Sequence, residues 1–174
     1  MHVQAIIPEK MPVTWVLVAD GKQAQIYECS IAGKRIPIGG SEGQTHYKET
    51  LARELLPIKD MAWQAESPNI YEKGRNATGM VFESGSSARH MSEPHIYIRD
   101  EIKQHLVKNI ANQINKATSA KIFDRLIVVA PAKILGELRT SLSKEAQKLV
   151  SAELPKDLTH CKEDELIKHL KNIV

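Results

Sequence analysis

The sequence predicts a single α/β domain, residues 1–174, built on a mixed five-stranded sheet with helices on both faces. Three observations support this fold class. The first part of the chain has strand-like runs separated by Asp-Gly and Ala-Gly turns, the second part alternates helical stripes with apolar runs, and one of those runs is continuously β-branched. The length of 174 residues, 42% of them hydrophobic and 26% charged, matches one globular domain with one core.

The opening elements are predicted to form a three-stranded antiparallel meander. Residues 14–20 are a β-branched and aromatic run, and Asp20-Gly21 is a strong hairpin signal before a second strand at residues 22–30. A turn at Ala32-Gly33 then leads into a third strand, "KRIPIGG". Pro37 favours a sheet edge for that strand, because proline cannot donate a hydrogen bond to a neighbouring strand.

Two segments separate this meander from the second half of the chain. Tyr47, Leu51 and Leu55 recur every fourth residue, which predicts a short helix over residues 47–56 that Pro57 ends. Residues 67–94 then combine glycine, serine, asparagine and arginine with few apolar positions. Because such long connections are typically functional or disordered, we expect this one to be the most mobile part of the chain.

The second half is predicted to alternate helices with strands. Apolar residues every fourth position predict a long amphipathic helix over residues 100–117, and the run at 125–131 is typical of a strand buried in a parallel sheet. The remaining predicted elements are a helix striped by Ile134, Leu138 and Leu142, a strand at 149–154 and a helix at 163–173. Hairpins on one side of the sheet and right-handed crossovers on the other satisfy a ribonuclease H-like architecture.

Composition excludes several classes of function. The net charge of +3 permits a polyanionic partner but is far from the strongly basic balance of a dedicated nucleic-acid binder, and no DNA-specific motif occurs. Cys29 and Cys161 stand far apart without zinc-ligand spacing, which predicts two reduced thiols in a cytoplasmic protein. No segment approaches a membrane span or an export signal. The glycine clusters lack the dinucleotide and P-loop patterns, so no cofactor is expected.

Within the long connection, residues 73–90 have the chemistry of an anion-binding loop. Three cations face one carboxylate, Glu83, and the glycines allow backbone amides to approach an anion closely. Arginine is suited to phosphate because its fork donates two parallel hydrogen bonds. The predicted RNA- or anion-binding residues are Lys73, Gly74, Arg75, Ser84, Gly85, Arg89 and His90. The alternative is a solvated surface loop that binds nothing.

A metal-dependent nuclease is the enzyme hypothesis that this architecture raises. Asp20 ends the first strand, but two-metal chemistry needs several converging carboxylates. Asp124 precedes its strand, so in a parallel pair it would lie roughly 20 Å away at the opposite end. Asp20 is therefore predicted to be a hairpin-turn residue. Because the histidines show no ligand spacing, no metal site is predicted.

Several stretches resemble a known family. They are "WVLVADGKQAQIYE", "KGR", "FESGSSARH", "FDRLIVVAPAKILGELRTSL" and "LPKDLTHCKEDELIKHL". Together they resemble the bacterial host-attachment proteins, a family similar to the middle domain of the archaeal-eukaryotic peptide-chain release factors. The resemblance implies the ribonuclease H-like arrangement already predicted from the order of elements.

The resemblance also implies where a functional loop would lie. The release-factor middle domain carries Gly-Gly-Gln between its meander and its first long helix, whereas residues 73–90 contain no such triplet. Residues 39–44, Gly39 to Gln44, hold a scrambled version, "GGSEGQ", directly after the third predicted strand. We expect it to be an ordinary turn rather than a replacement for Gly-Gly-Gln.

These observations lead to one functional prediction and two alternatives. The prediction is a translation-linked module that contacts the ribosome or structured RNA without catalysing peptide release. The first alternative is a protein-interaction or host-attachment domain with a protein partner. The third hypothesis is a hydrolase or nuclease on a ribonuclease H-like fold.

Overall fold

A mixed sheet of five strands organises the protein. The computed structural model describes residues 12–39, 46–65 and 93–173. In chain order its elements are β1 (Thr14–Ala19), β2 (Gln23–Gly39), β3 (His46–Gln64), α1 (Glu93–Ser119), β4 (Arg125–Val129), α2 (Ala132–Ser141), α3 (Lys144–Leu149), β5 (Val150–Leu154) and α4 (Glu163–Leu170). The strand order is β3-β2-β1-β4-β5. Strand β2 pairs antiparallel with β1 and β3, whereas β4 pairs parallel with β1 and β5.

Strand β1 lies at the centre of the sheet because its side chains are apolar on both faces. All six of its residues are buried, as are four of the five in β4. On one face Trp15 stacks on Phe123, with ring centroids 4.6 Å apart, within a core that α1, α2 and α3 cover. On the other face Val16 and Val18 pack with Leu166 and Leu170 of α4. Helices therefore cover both faces, as the sequence predicts.

Helix α1 confirms the predicted amphipathic stripe and extends it toward the N-terminus. It begins at Glu93 rather than at residue 100, and it ends at Ser119. Over residues 100–119 of this helix the buried positions are Leu106, Val107, Ile110, Ala111, Ile114 and Ala117. The predicted strands after α1 and the last helix are also present, and the short helix α3 was not predicted because six residues carry too little periodicity.

The predicted helix over residues 47–56 is wrong, because this segment belongs to β3. It pairs residue by residue with the second half of β2, which continues straight through the predicted turn at Ala32-Gly33. The ladder of backbone hydrogen bonds outweighs a modest helical spacing of apolar residues. The third strand of the meander is therefore β3, and "KRIPIG" is the end of β2 rather than a strand of its own. Pro37 lies in a part of β2 that pairs with β3 but not with β1, which agrees with the predicted sheet edge.

Strands β2 and β3 are much longer than the rest of the sheet. Strand β1 pairs with β2 only as far as Cys29, so residues 30–39 and 46–54 form a two-stranded extension, here called the β arm. Beyond Pro57 the ladder is interrupted by a bulge in which Asp60 has a φ of 65°. The straight part of β3 is therefore confined to residues 46–56.

Candidate functional site

Asp20 directly follows β1, at the end of the sheet where the parallel strands β1, β4 and β5 have their C-termini. Its carboxylate is buried, with 8% of the residue exposed. Its Oδ1 accepts hydrogen bonds from the backbone N–H groups of Lys22, at 2.5 Å, and Gln23, at 2.8 Å. Its Oδ2 accepts from the Thr159 hydroxyl at 2.8 Å. The predicted turn role of Asp20 is therefore confirmed, and Thr159 adds a long-range tie that the sequence did not predict.

The hydrogen bonds decide the charge state of Asp20. Burial raises the pKa of its carboxyl, but the N–H groups of Lys22 and Gln23, the hydroxyl of Thr159 and the nearby His160 together lower the pKa below its ordinary value. The net effect is a lowered pKa because a carboxylate that accepts several hydrogen bonds is stabilised in its ionised form. Asp20 is therefore an ionised anchor at neutral pH.

Two further polar residues of the β5–α4 connection approach Asp20. One ligand atom each of Asp20, Asp157 and His160 lies within 4.8 Å of the others. The Thr159 hydroxyl lies 2.8 Å from oxygens of both Asp20 and Asp157, and its single proton serves one carboxylate at a time. Asp157 also accepts from the Thr159 N–H at 3.2 Å. This arrangement holds the connection against the β1–β2 hairpin, and both oxygens of Asp20 are engaged in doing so.

Asp124 lies far from this cluster, as the sequence predicts. Its Oδ2 accepts from the N–H of Val13, just before β1, while Asp20 follows the other end of that strand. The pair therefore cannot share a metal ion. A signal for the Asp20–Thr159 contact was present in the stretch "KDLTH", because polar residues that follow parallel strands gather at one edge of the sheet.

The predicted anion-binding loop falls outside the part of the chain that the structure describes. This applies to all seven predicted residues, which are Lys73, Gly74, Arg75, Ser84, Gly85, Arg89 and His90. It applies equally to residues 40–44, while Gly39 is the last residue of β2. The predicted mobility of residues 67–94 also stays a prediction, except that residues 93 and 94 belong to α1.

An apolar groove of about 480 Å³ separates the β arm from the C-terminal end of α4. It is lined by Cys29, Ile31, Leu51, Arg53, Leu55, Ile167, Lys168, Leu170 and Lys171. Leu51 is 79% exposed, which is unusual for a leucine in a strand. The charged side chains of the lining are all cationic, so the groove combines an apolar floor with a basic rim.

Cys29 provides a chemical reporter inside this groove. Burial raises the pKa of its thiol, and the positive charges of Arg53 and Arg125 offset only part of that effect. The thiol is therefore protonated at neutral pH, which makes it a slow nucleophile. A molecule that occupies the groove would cover it further.

No helix in the described residues is long and apolar enough to cross a membrane. The fold defines a single-domain α/β protein with a mixed open sheet.

A family model matches residues 15–170, and the chain belongs to that family, described as "Protein required for attachment to host cells". The chain is also similar to an uncharacterized protein of Rickettsia prowazekii (strain Madrid E), with 28% identity over 80 residues, or 45% of this chain. That match spans 53% of the length of the Rickettsia protein. The resemblance to host-attachment proteins is therefore confirmed.

Proposed function

We propose that this protein acts in host attachment as a protein-binding module, and that its binding site is the groove between the β arm and α4. The observation that carries this proposal is an exposed apolar floor bounded by Arg53, Lys168 and Lys171. Exposed apolar surface with a polar rim is typical of an interaction site. Family membership supports an attachment role for the whole chain.

The groove favours a partner segment with alternating apolar and acidic side chains. Apolar side chains would replace water over Ile31, Leu51 and Leu55, where two of the three are exposed. Carboxylates would lie near the three cations of the rim, which adds attraction and raises the association rate. A basic segment would meet like charges in the same place, so the rim also provides selectivity.

The test is a charge reversal at the rim, Lys168→Glu with Lys171→Glu. A fluorescent peptide that alternates leucine and glutamate serves as the probe, and its anisotropy gives the Kd. We expect the reversal to weaken binding by about tenfold or more, because two attractive contacts become repulsive. In the Cys161→Ser background, the same peptide should slow alkylation of Cys29, the remaining thiol.

Lys144→Glu with Lys148→Glu is the matched control, because both lysines are exposed on the short helix α3, away from the groove. This control variant should bind the leucine-glutamate peptide as the wild type does. A peptide of alternating leucine and lysine should bind neither the control variant nor the wild type. Cells that lack the protein should recover attachment when they receive the control but not the rim variant. Normal attachment with the rim variant would contradict the proposal.

A second candidate function is the translation-linked module, favoured by the strand order β3-β2-β1-β4-β5. The resemblance to release-factor middle domains implies a ribonuclease H-like fold, and antiparallel strands on one side of β1 with parallel strands on the other agree with that expectation. The cytoplasmic location predicted from the sequence is consistent with this role. In this candidate the chain contacts ribosomal or structured RNA through the loop at 73–90 and has no peptide-release activity.

Replacing Lys73, Arg75 and Arg89 together by alanine tests this second candidate. We expect weaker co-sedimentation with ribosomes and a salt slope reduced by about three phosphate contacts, because each cation releases counterions on binding. Unchanged binding and salt dependence in the triple variant would exclude the loop as the contact.

A further inference from the structure

We infer that Asp20, Asp157 and His160 together bind a divalent transition-metal ion of the Zn²⁺ type. One ligand atom of each residue lies within 4.8 Å of the ligand atoms of the other two. Carboxylate oxygens and imidazole nitrogens are both zinc ligands, and a site with three protein ligands leaves a position for water. The inference goes beyond the proposed function and does not depend on it, because none of these residues lines the groove.

The charges at this site favour a cation. Asp20 is buried and ionised, and Asp157 is a second carboxylate beside it. Within residues 12–39, 46–65 and 93–173, no lysine or arginine forms an ion pair with either of them. The Thr159 hydroxyl contacts both carboxylates but has only one proton to donate. Buried charges in proteins are normally paired or coordinate a metal, and here a metal ion would supply the positive charge.

The topology of the sheet places this group where α/β proteins usually bind their ligands. Strands β1 and β4 are parallel neighbours, and the strands that follow them, β2 and β5, lie on opposite sides of the pair. The order of strands therefore reverses between β1 and β4, and open α/β sheets bind ligands beyond the carboxyl ends of the strands at such a point. The β5–α4 connection crosses this position, because Thr159 reaches Asp20 at the end of β1.

Asp20 is a fixed ligand and the other two residues are adjustable. Its Oδ1 is held by two backbone N–H groups of the β1–β2 hairpin, while its Oδ2 accepts from Thr159 and has a second lone pair. Tetrahedral zinc with bonds of about 2.1 Å places its ligand atoms about 3.4 Å apart. Asp157 and His160 are exposed, so their side chains can rotate to reach that spacing.

The donor set also determines the class of metal. Magnesium and calcium prefer oxygen ligands in larger number, whereas imidazole suits zinc, copper, iron and nickel. Cys161 follows His160 directly, but its side chain packs with the apolar cluster on the α4 face of the sheet, so its thiol is not part of the donor set. A single ion with three protein ligands also differs from the ion pair of a two-metal nuclease.

Isothermal titration calorimetry of the metal-free full chain with zinc chloride tests the inference. We expect one Zn²⁺ ion per chain, and a thermal midpoint that rises with the zinc concentration because the ion binds the folded state. His160→Gln and Asp157→Asn should each weaken binding by about tenfold or more, since each removes one of three protein ligands. Both residues are exposed, so neither substitution should disturb the core. Magnesium chloride should give no saturable heat, and magnesium binding as tight as that of zinc would overturn the class of metal.

His105→Gln is the matched control, because this histidine is exposed on α1 and does not belong to the group. It should bind Zn²⁺ as the wild type does, and so should Cys29→Ser with Cys161→Ser, which removes both thiols. Loss of binding in the serine variant would assign the ion to the thiols and overturn the inference. The inference would also be wrong if no saturable binding occurred at millimolar zinc, or if His160→Gln and Asp157→Asn both bound zinc as the wild type does.

Discussion

Trp15→Ala is expected to lower the free energy of unfolding by about 3 to 5 kcal/mol, because it empties the largest side-chain site in the core. Trp15 is 2% exposed and is among the largest fully buried side chains of the described residues. Its ring stacks on Phe123 at 4.6 Å, so the substitution removes an aromatic contact as well as buried area. Urea unfolding followed by far-ultraviolet circular dichroism measures the loss.

Trp15→Phe is the informative control for this prediction. The indole Nε1 is buried and has no hydrogen-bond partner among the described residues, so a phenyl ring loses volume but no such hydrogen bond. We expect a cost below about 2 kcal/mol, much less than for alanine. A loss for Trp15→Phe as large as that for Trp15→Ala would contradict the expectation that a phenyl ring keeps most of the packing. Trp63 stays as a fluorescent reporter in both variants.

Asp20→Ala is expected to cost about 2 to 3 kcal/mol, because it leaves three hydrogen-bond donors without their charged acceptor. Two of the donors are backbone N–H groups of the β1–β2 hairpin, and the third is the Thr159 hydroxyl. A double-mutant cycle with Thr159→Val isolates the long-range tie. We expect a coupling energy of about 1 to 2 kcal/mol, since hydrogen bonds to charged groups are the stronger kind. Additive losses would contradict a direct tie between the two residues.

The pH dependence of stability provides a second readout for Asp20. Its pKa in the folded protein lies below the ordinary aspartate value that applies in the unfolded chain, so unfolding in acid raises the pKa and takes up a proton. The stabilisation is therefore complete above about pH 5 and is lost as the pH falls through the unfolded and then the folded pKa. Asp20→Asn should flatten this acid limb of the stability curve, measured by urea unfolding between pH 2 and pH 7. An unchanged acid limb would contradict the lowered pKa.

Sequence periodicity predicted the elements that carry most of the core. Helix α1 has a stripe repeated over many turns, and β4 is apolar throughout, so local patterns and tertiary packing agree there. Over residues 47–56 they disagree, because the backbone hydrogen bonds come from β2, which the spacing of leucines does not reveal. A short amphipathic spacing is compatible with either structure.

The candidate site likewise contains one feature that a local sequence signal predicts and others that depend on the tertiary structure. The turn role of Asp20 follows from its neighbour Gly21, which is a local signal. Its bond to Thr159 joins residues 139 positions apart, and only the topology of the parallel strands brings them together. The groove depends on packing of the β arm beside α4, which a local sequence pattern cannot predict either.

The central position of β1 has a consequence for the order of folding during synthesis. One side of β1 pairs with β2, the next strand in the chain. The other side pairs with β4, so Thr14 can pair with Arg125 only after that much later residue has been synthesised. The β1–β2–β3 meander can therefore close early, while β1 stays unpaired along its other side until β4 emerges. Pairing across so long a separation is slow because the closure entropy precedes the gain in contacts. The nascent chain should therefore recruit a chaperone most strongly between the emergence of β1 and that of β4.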